Sequence, residues 1–304
     1  MQKLGLDFTK PAVEAPQASR RASPTPTKRR RAGSDAHVQF SNGQKTARSE
    51  NSNAVAPAGE PSVILLDIEG TTTPITFVKD VLFPFAYERV EDHLNATWDT
   101  DETRADVRAL YDQYLQDQKG GVEGAVPIPN PTSGKKRVVK ACADNVRWQI
   151  SLDRKTSALK QLQGHIWRAG YENGQITSVV FDDVPAAISS WAVSGKRVCI
   201  YSSGSREAQH LLFRYTNHGD LRPMLSAYFD TTIGHKRQEQ SYREIALTLG
   251  VDHPSDIMFV TDVFEEAQAA QAAGLRAVIS VREGNAELPA KHGFTEITSF
   301  AQLS

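Results

Sequence analysis

The sequence predicts an α/β fold: a Rossmann-like parallel sheet core carrying an inserted helical cap and preceded by a disordered N-terminal tail. Three observations lead there. Short apolar runs end in acidic or hydroxyl residues, as buried parallel strands do where they empty into loops. Helical patterns separate the later runs, which is the alternation of a parallel sheet. Composition also changes abruptly near residue 60.

The tail comes first. Residues 1–60 are rich in Pro, Ala, Ser, Thr and Arg and show no sustained apolar period. They carry ten Lys and Arg against five Asp and Glu, a net of +5, so the remainder of the chain carries −6. A segment of this kind buries too little apolar surface to offset its ordering entropy, so disorder is expected. Within it, Lys28-Arg29-Arg30-Arg31 has the character of a nuclear localisation signal or of a simple solvated charge run. Asp7 and Glu14 speak against a transit peptide.

Val63-Ile64-Leu65-Leu66-Asp67 is the first strand, followed by a loop containing Gly70 and three threonines. Residues 80–175 break the strand–helix rhythm. Val81 to Leu94, Glu102 to Gln118 and Lys140 to Ala169 read as helices, interrupted by a Gly- and Pro-rich loop from Gly120 to Gly134. This is the helical insertion, and 61–79 with 176–304 form the core. Three further strands follow: Arg197 to Gly204, ending in hydroxyl residues, Ile257 to Asp262, ending in an acid, and the plain apolar Ala277 to Val281. Helices are expected over Arg206 to Tyr215, Ser241 to Leu249 and Phe264 to Ala273, the last stopping at Gly274.

Bulk properties narrow the function. With 39% apolar and 23% charged residues and a net charge of −1, the whole chain is not a nucleic-acid binder by bulk charge. Two cysteines, Cys142 and Cys199, are too few for a disulfide framework or a zinc site, and a reducing intracellular location is expected. No apolar stretch long enough to span a bilayer is present.

In open parallel sheets, ligands bind at the carboxyl ends of the strands. Asp67 with Glu69, Ser202 with Ser203, Lys236 and Asp262 fall there together. Their chemistry suits phosphoryl transfer. One carboxylate can attack phosphorus. A second acid can protonate the leaving oxygen and then deprotonate water. Hydroxyls and a lysine can hold the phosphoryl oxygens, and a further carboxylate can help bind Mg²⁺. Each residue also has a plain structural alternative. Asp67 can serve the following loop, and Glu69 can be a surface acid. Ser202 and Ser203 can open the next helix beside Ser205, and Lys236 can be solvated. Asp262 with Glu265 matches a capping pattern. His165 and Trp167 read as core of the insertion or as pocket lining.

The order Asp67, Ser203, Lys236, Asp262 resembles the four motifs of the haloacid dehalogenase superfamily. Leu65-Leu66-Asp67-Ile68-Glu69-Gly70-Thr71-Thr72-Thr73-Pro74-Ile75 resembles the opening motif of its acireductone synthases. So do Ser151 to Thr156, Ala158 to His165, Tyr201 to Ser205, Phe229 to Thr231, Ile233 to Lys236 and Thr261 to Val263. The likeness spans about residues 62–300. It implies a monomeric, Mg²⁺-dependent enolase-phosphatase of methionine salvage, with one ion per subunit and no membrane or nucleic-acid partner. Its substrate would be 2,3-diketo-5-methylthiopentyl 1-phosphate. By motif position, Asp67 is the nucleophile and a metal ligand. Glu69 is the acid/base and binds metal through its carbonyl. Ser202, Ser203 and Lys236 bind substrate, Asp262 completes the metal site, and Glu266 supports its waters. The insertion would be the cap that sets specificity. The enolisation base is left open, with Glu69 preferred. Residence in the cytoplasm, and in the nucleus through the basic cluster, is the matching expectation. Two alternatives stand beside this: a related phosphatase for another small phosphomonoester, and a non-catalytic binder of phosphate or nucleic acid acting through the tail.

Overall fold

The computed structural model describes residues 59–303. The expected disorder before residue 60 and the Lys28–Arg31 cluster therefore lie outside the described residues, apart from Gly59 and Glu60.

The first strand, β1 (Val63–Leu66), is completely buried. Its four consecutive apolar residues are explained by cover on both faces of the sheet. The other strands are β2 (Arg197–Tyr201), β3 (Ala227–Phe229), β4 (Ile257–Thr261), β5 (Arg276–Ser280) and β6 (Thr295–Ile297). All neighbours pair in parallel, in the order β3-β2-β1-β4-β5-β6. In register, Leu65 lies opposite Cys199 on one side and Phe259 on the other. The strand order reverses between β1 and β4, which opens a crevice beyond their carboxyl ends.

Among the described residues, nine α-helices, one π-helical turn and three short 3₁₀ turns complete the fold. A short α1 (Ile75–Phe77), a π-helical turn (Val78–Leu82) and α2 (Phe83–Ala96) run on from one another. They are followed by α3 (Asp101–Lys119), α4 (Lys135–Ser151) and α5 (Ser157–Glu172), all before β2. The core helices are α6 (Asp183–Val193), α7 (Arg206–Arg214), α8 (Glu239–Leu249) and α9 (Phe264–Ala272). Val63, Leu65, Cys199, Tyr201, Ile257 and Phe259 form one face of the sheet core with Tyr242 and Ile245 of α8 and Ala269 and Ala270 of α9. Cys199 sits in this core as a small, fully buried side chain. The small side chains of α9 let its backbone lie close to the strands.

Within the insertion, α2 packs on α4 and α5, and α3 packs on α5. Thr100 caps α3 by accepting from the Thr103 N–H, and Asp101 and Glu102 in the first turn complement the helix dipole. The insertion leaves and rejoins the core at one place, because the Phe181 N–H donates to the Thr72 carbonyl at 3.0 Å.

Three sequence expectations are corrected. The helix expected over Lys140 to Ala169 is two helices. Asp153 takes a left-handed conformation (φ 49°), and Thr156 then caps α5 by accepting from the Leu159 N–H. Arg154 in that turn is held by both oxygens of Asp117, at 2.6 and 2.7 Å. β3 and β6 are additional strands, and α6 is an additional helix. Among the described residues, no helix is long and apolar enough to cross a membrane.

Candidate active site

The end of β1 delivers Asp67 into the crevice, and the end of β4 delivers Thr261 and Asp262. Asp67 is nearly fully buried, and both of its carboxylate oxygens have partners. Its Oδ1 accepts from its neighbour's Ile68 N–H at 2.7 Å and from Lys236 Nζ at 2.6 Å. Its Oδ2 accepts from Thr261 Oγ1 at 3.2 Å. Asp67 therefore does not serve the following loop alone, since it sits at the centre of a charge cluster.

Lys236 is not a solvated charge. It is 6% exposed. Its ammonium reaches Asp67 and also Glu266 Oε2, at 2.7 Å. The rings of Tyr201 and Phe259 stand 5.8 and 5.9 Å from the nitrogen, adding a weak cation–π attraction. Burial alone would lower the lysine pKa, but the carboxylates of Asp67 and Glu266 outweigh it and raise the pKa, so Lys236 stays charged. The loop carrying it is fixed by Tyr242, whose hydroxyl donates to the Lys236 carbonyl at 2.6 Å, and by Tyr201, whose hydroxyl donates to the Gly234 carbonyl.

Asp262 does not cap α9, whose first residue is preceded by Val263 with no side-chain cap. It faces the cluster instead. Burial and then the charge of Asp67 push its pKa up to about 7, against the pull of Lys236. Glu266, on the first turn of α9, is raised for the same two reasons and is tied to Thr261 Oγ1 at 3.0 Å. Gly70 floors this space in a left-handed conformation (φ 70°), and a Cβ there would lie 2.5 Å from Asp262 Oδ2. Only glycine fits.

The pKa of Glu69 is raised above the usual carboxylate value, chiefly by burial and then by the charge of Asp67. It lines a cavity of about 540 Å³ together with Ser202 and Ser203. Ser205, not either of those serines, caps α7 by accepting from the Ala208 N–H. Ser202 and Ser203 are thereby free for the cavity. Ser202 Oγ accepts from the Gly204 N–H, and the Ser203 carbonyl accepts from Lys160 Nζ of α5 at 3.0 Å. The cavity roof comes from the insertion: Leu82, Phe83, Ile150 and Trp167 supply apolar wall, joined by Val78 just before it, and Lys155 and Lys160 supply charge. Trp167 is pocket lining, as the second of its two readings had it. His165 is not, since its Nδ1 binds Asp106 at 2.6 Å inside the insertion.

The cluster sets four acids against one buried lysine. Among the described residues, no three His, Cys, Asp or Glu side chains are grouped as a metal site. The donor chemistry nevertheless fits Mg²⁺, which takes few carboxylates and fills its shell with water, backbone and phosphate oxygens. Asp67 and Asp262 are the two carboxylates that meet there, and their mutual repulsion is what a divalent ion would relieve. Sequence reasoning gave no role to Thr261, which links Asp67 to Glu266, or to Lys160. A threonine ending a buried strand directly before an acid was the available signal for the first.

Comparison with known proteins gives the family of the chain. A Populus trichocarpa protein named probable bifunctional methylthioribulose-1-phosphate dehydratase/enolase-phosphatase E1 is 56% identical over 259 residues, covering 85% of this chain and 50% of that protein. The Arabidopsis thaliana protein of that name is 58% identical over 240 residues, covering 79% and 47%. The chain thus spans about half the length of the curated relatives it matches. Among solved structures, the UTR4 protein of Saccharomyces cerevisiae is 30% identical with a TM-score of 0.62, covering 80% of this chain and 100% of that one. CbbY from Rhodobacter sphaeroides, in complex with phosphate, shares the fold at 15% identity and a TM-score of 0.51, covering 80% and 96%. The profile of haloacid dehalogenase-like hydrolases matches residues 61–274, and with β1 and β4 converging their acids at the switch point of the sheet, the chain belongs to that family.

Proposed function

We propose that this chain is a phosphatase that uses Asp67 as its nucleophile and acts as the enolase-phosphatase of methionine salvage on 2,3-diketo-5-methylthiopentyl 1-phosphate. The observation that carries the phosphatase reading is the placement of Asp67. It is buried, oriented by Lys236 and Thr261, and two residues from an acid whose pKa is raised. The names of the relatives support the substrate, and their enolase-phosphatase activity is the part that suits an aspartate site.

In this reading, Asp67 attacks phosphorus and the P–O bond to the substrate breaks, leaving an acyl phosphate on Asp67. Glu69 gives its proton to the departing oxygen and then removes one from the water that hydrolyses the acyl phosphate. Its raised pKa fits the first duty. Ser202 and Ser203 hold phosphoryl oxygens, and Lys236 offsets their charge. Asp67, Asp262 and the Glu69 carbonyl would hold Mg²⁺, with Glu266 supporting its waters. The ion would supply charge neutralisation for phosphoryl transfer and Lewis-acid polarisation for enolisation. Glu69 is the group best placed to move the enolisation proton. Helices α2 to α5 act as the cap, excluding water and presenting the apolar wall to the substrate tail.

The test is turnover of the diketo phosphate, following phosphate release and acireductone absorbance, with Mg²⁺ and with chelator, beside Asp67→Asn. Metal-dependent turnover that disappears in the variant supports both levels of the reading. Activity on other phosphomonoesters but not on this one would keep the nucleophile and overturn the substrate.

A further inference from the structure

Asn285 stands in the loop after β5, outside every motif that the sequence offered. Its amide nitrogen donates to the Gly70 carbonyl and to the Ser280 carbonyl, both at 3.0 Å. These two bonds join the loop after β1 to the end of β5, and they use both N–H groups. The orientation of the amide is thereby fixed, and only Oδ1 remains. That oxygen is buried and has no partner. It faces the space above Gly70, 2.7 Å from where a Cβ would be, and Asp262 Oδ2 faces the same space at 2.5 Å.

Two acceptor oxygens that converge on one buried space need a donor or a cation between them. Ser280 Oγ, Thr71 Oγ1 and Thr73 Oγ1 are also buried without a partner, and they belong to the same two segments. Such a concentration of unmet polar atoms at a strand end is the signature of ordered water. The charged group that faces this space is Asp262, the carboxylate that the reading above gives to the cation.

We propose that Asn285 is a positioning residue of the cation site: its Oδ1 accepts from a water bound to a divalent cation at Asp67 and Asp262, while its amide nitrogen locks the Gly70 loop beneath. This rests on the Mg²⁺ reading above and extends it to a residue on a different loop. Partners of this kind orient the primary ligands and their waters, and losing one typically weakens metal binding about 10- to 100-fold.

The experiment is titration calorimetry of the full chain with Mg²⁺ alone, for wild type and Asn285→Ala, with melting in chelator as a parallel measurement. Asn285→Ser, which keeps a hydroxyl for one of the two carbonyls, serves if the alanine variant does not fold. The expected result is saturable binding by wild type and a dissociation constant raised about tenfold or more in the variant. A variant that melts lower in chelator yet binds Mg²⁺ within about twofold of wild type would show a purely structural asparagine and overturn the proposal. Absence of saturable binding by wild type would overturn the Mg²⁺ reading and this inference together, so the two failures are distinguishable.

Discussion

Replacing Lys236 by Met tests the site at its centre. The ammonium makes two charge-assisted contacts, at 2.6 Å to Asp67 and 2.7 Å to Glu266, while 6% exposed. Methionine fills the same channel past Tyr201 and Phe259, so little packing is lost. The charge is what disappears, and it leaves buried carboxylates facing one another. Breaking a buried pair from one side costs about 3–5 kcal/mol. For a domain of this size, each kcal/mol lowers the melting temperature by roughly 2–4 °C, so a fall of about 6–20 °C is expected in chelator. The loss has a pH signature. Glu266 already has its folded pKa raised, so it binds protons more tightly folded than unfolded. Such a carboxyl destabilises the fold as pH rises from the unfolded value through the folded one, and removing Lys236 enlarges that effect. The deficit of Lys236→Met is therefore largest near pH 8 and shrinks toward pH 5. Urea titrations in chelator at both pH values measure it. A variant as stable as wild type at pH 8, or a deficit that grows on acidification, would refute the reasoning.

Glu69→Gln should lower kcat for phosphate release by about 10²- to 10⁴-fold with KM changed far less, as steady-state kinetics would show, because the proton donor is lost and the cavity wall is kept. In the insertion, burial alone would lower the pKa of His165, but its bond to Asp106 and the charge of Glu102 raise it. Its stabilising contribution is thus complete below about pH 6.5 and is lost as pH rises through the folded pKa, so the stability gap between wild type and His165→Gln should narrow between pH 6 and 9. Thr156→Ala removes the cap of α5 and the bond from Thr156 Oγ1 to Gln149 Oε1 at 2.7 Å, and should cost about 1 kcal/mol in urea unfolding.

Much of the sheet was legible because its central strands are covered on both faces, which leaves unbroken apolar runs such as Val63–Leu66 and Ile257–Thr261. β3 and β6 have three residues each and are only partly buried, too short to establish a pattern. The break between α4 and α5 was hidden for another reason. Apolar spacing resumes after Leu152, so the period persists although the axis changes, and the cap signal at Thr156-Ser157 was the sole clue. Asp67, Glu69, Ser202 and Asp262 could be placed because strand ends of a parallel sheet converge. The bond of Lys236 to both Asp67 and Glu266 could not, since it depends on how a distant loop folds back over the crevice. Asn285 carried no signal, because its meaning comes from two carbonyls far away in sequence.

The hydrogen bond from Phe181 to Thr72 has a consequence beyond stability. A chain that departs from and returns to a sheet at one place closes the ends of the intervening segment whatever its length, while Lys160 and Arg168 of α5 hold that segment to Ser203 and Glu207 of the core. The inserted helices α2 to α5, within residues 80–175, therefore stand over a core whose two ends are held together beneath them. Under the proposed function, the core with its acids and lysine would determine which bond breaks, and the inserted helices would determine which molecule is admitted. The pair Thr72–Phe181 thus fixes where the chain passes between the two, whatever the inserted helices carry.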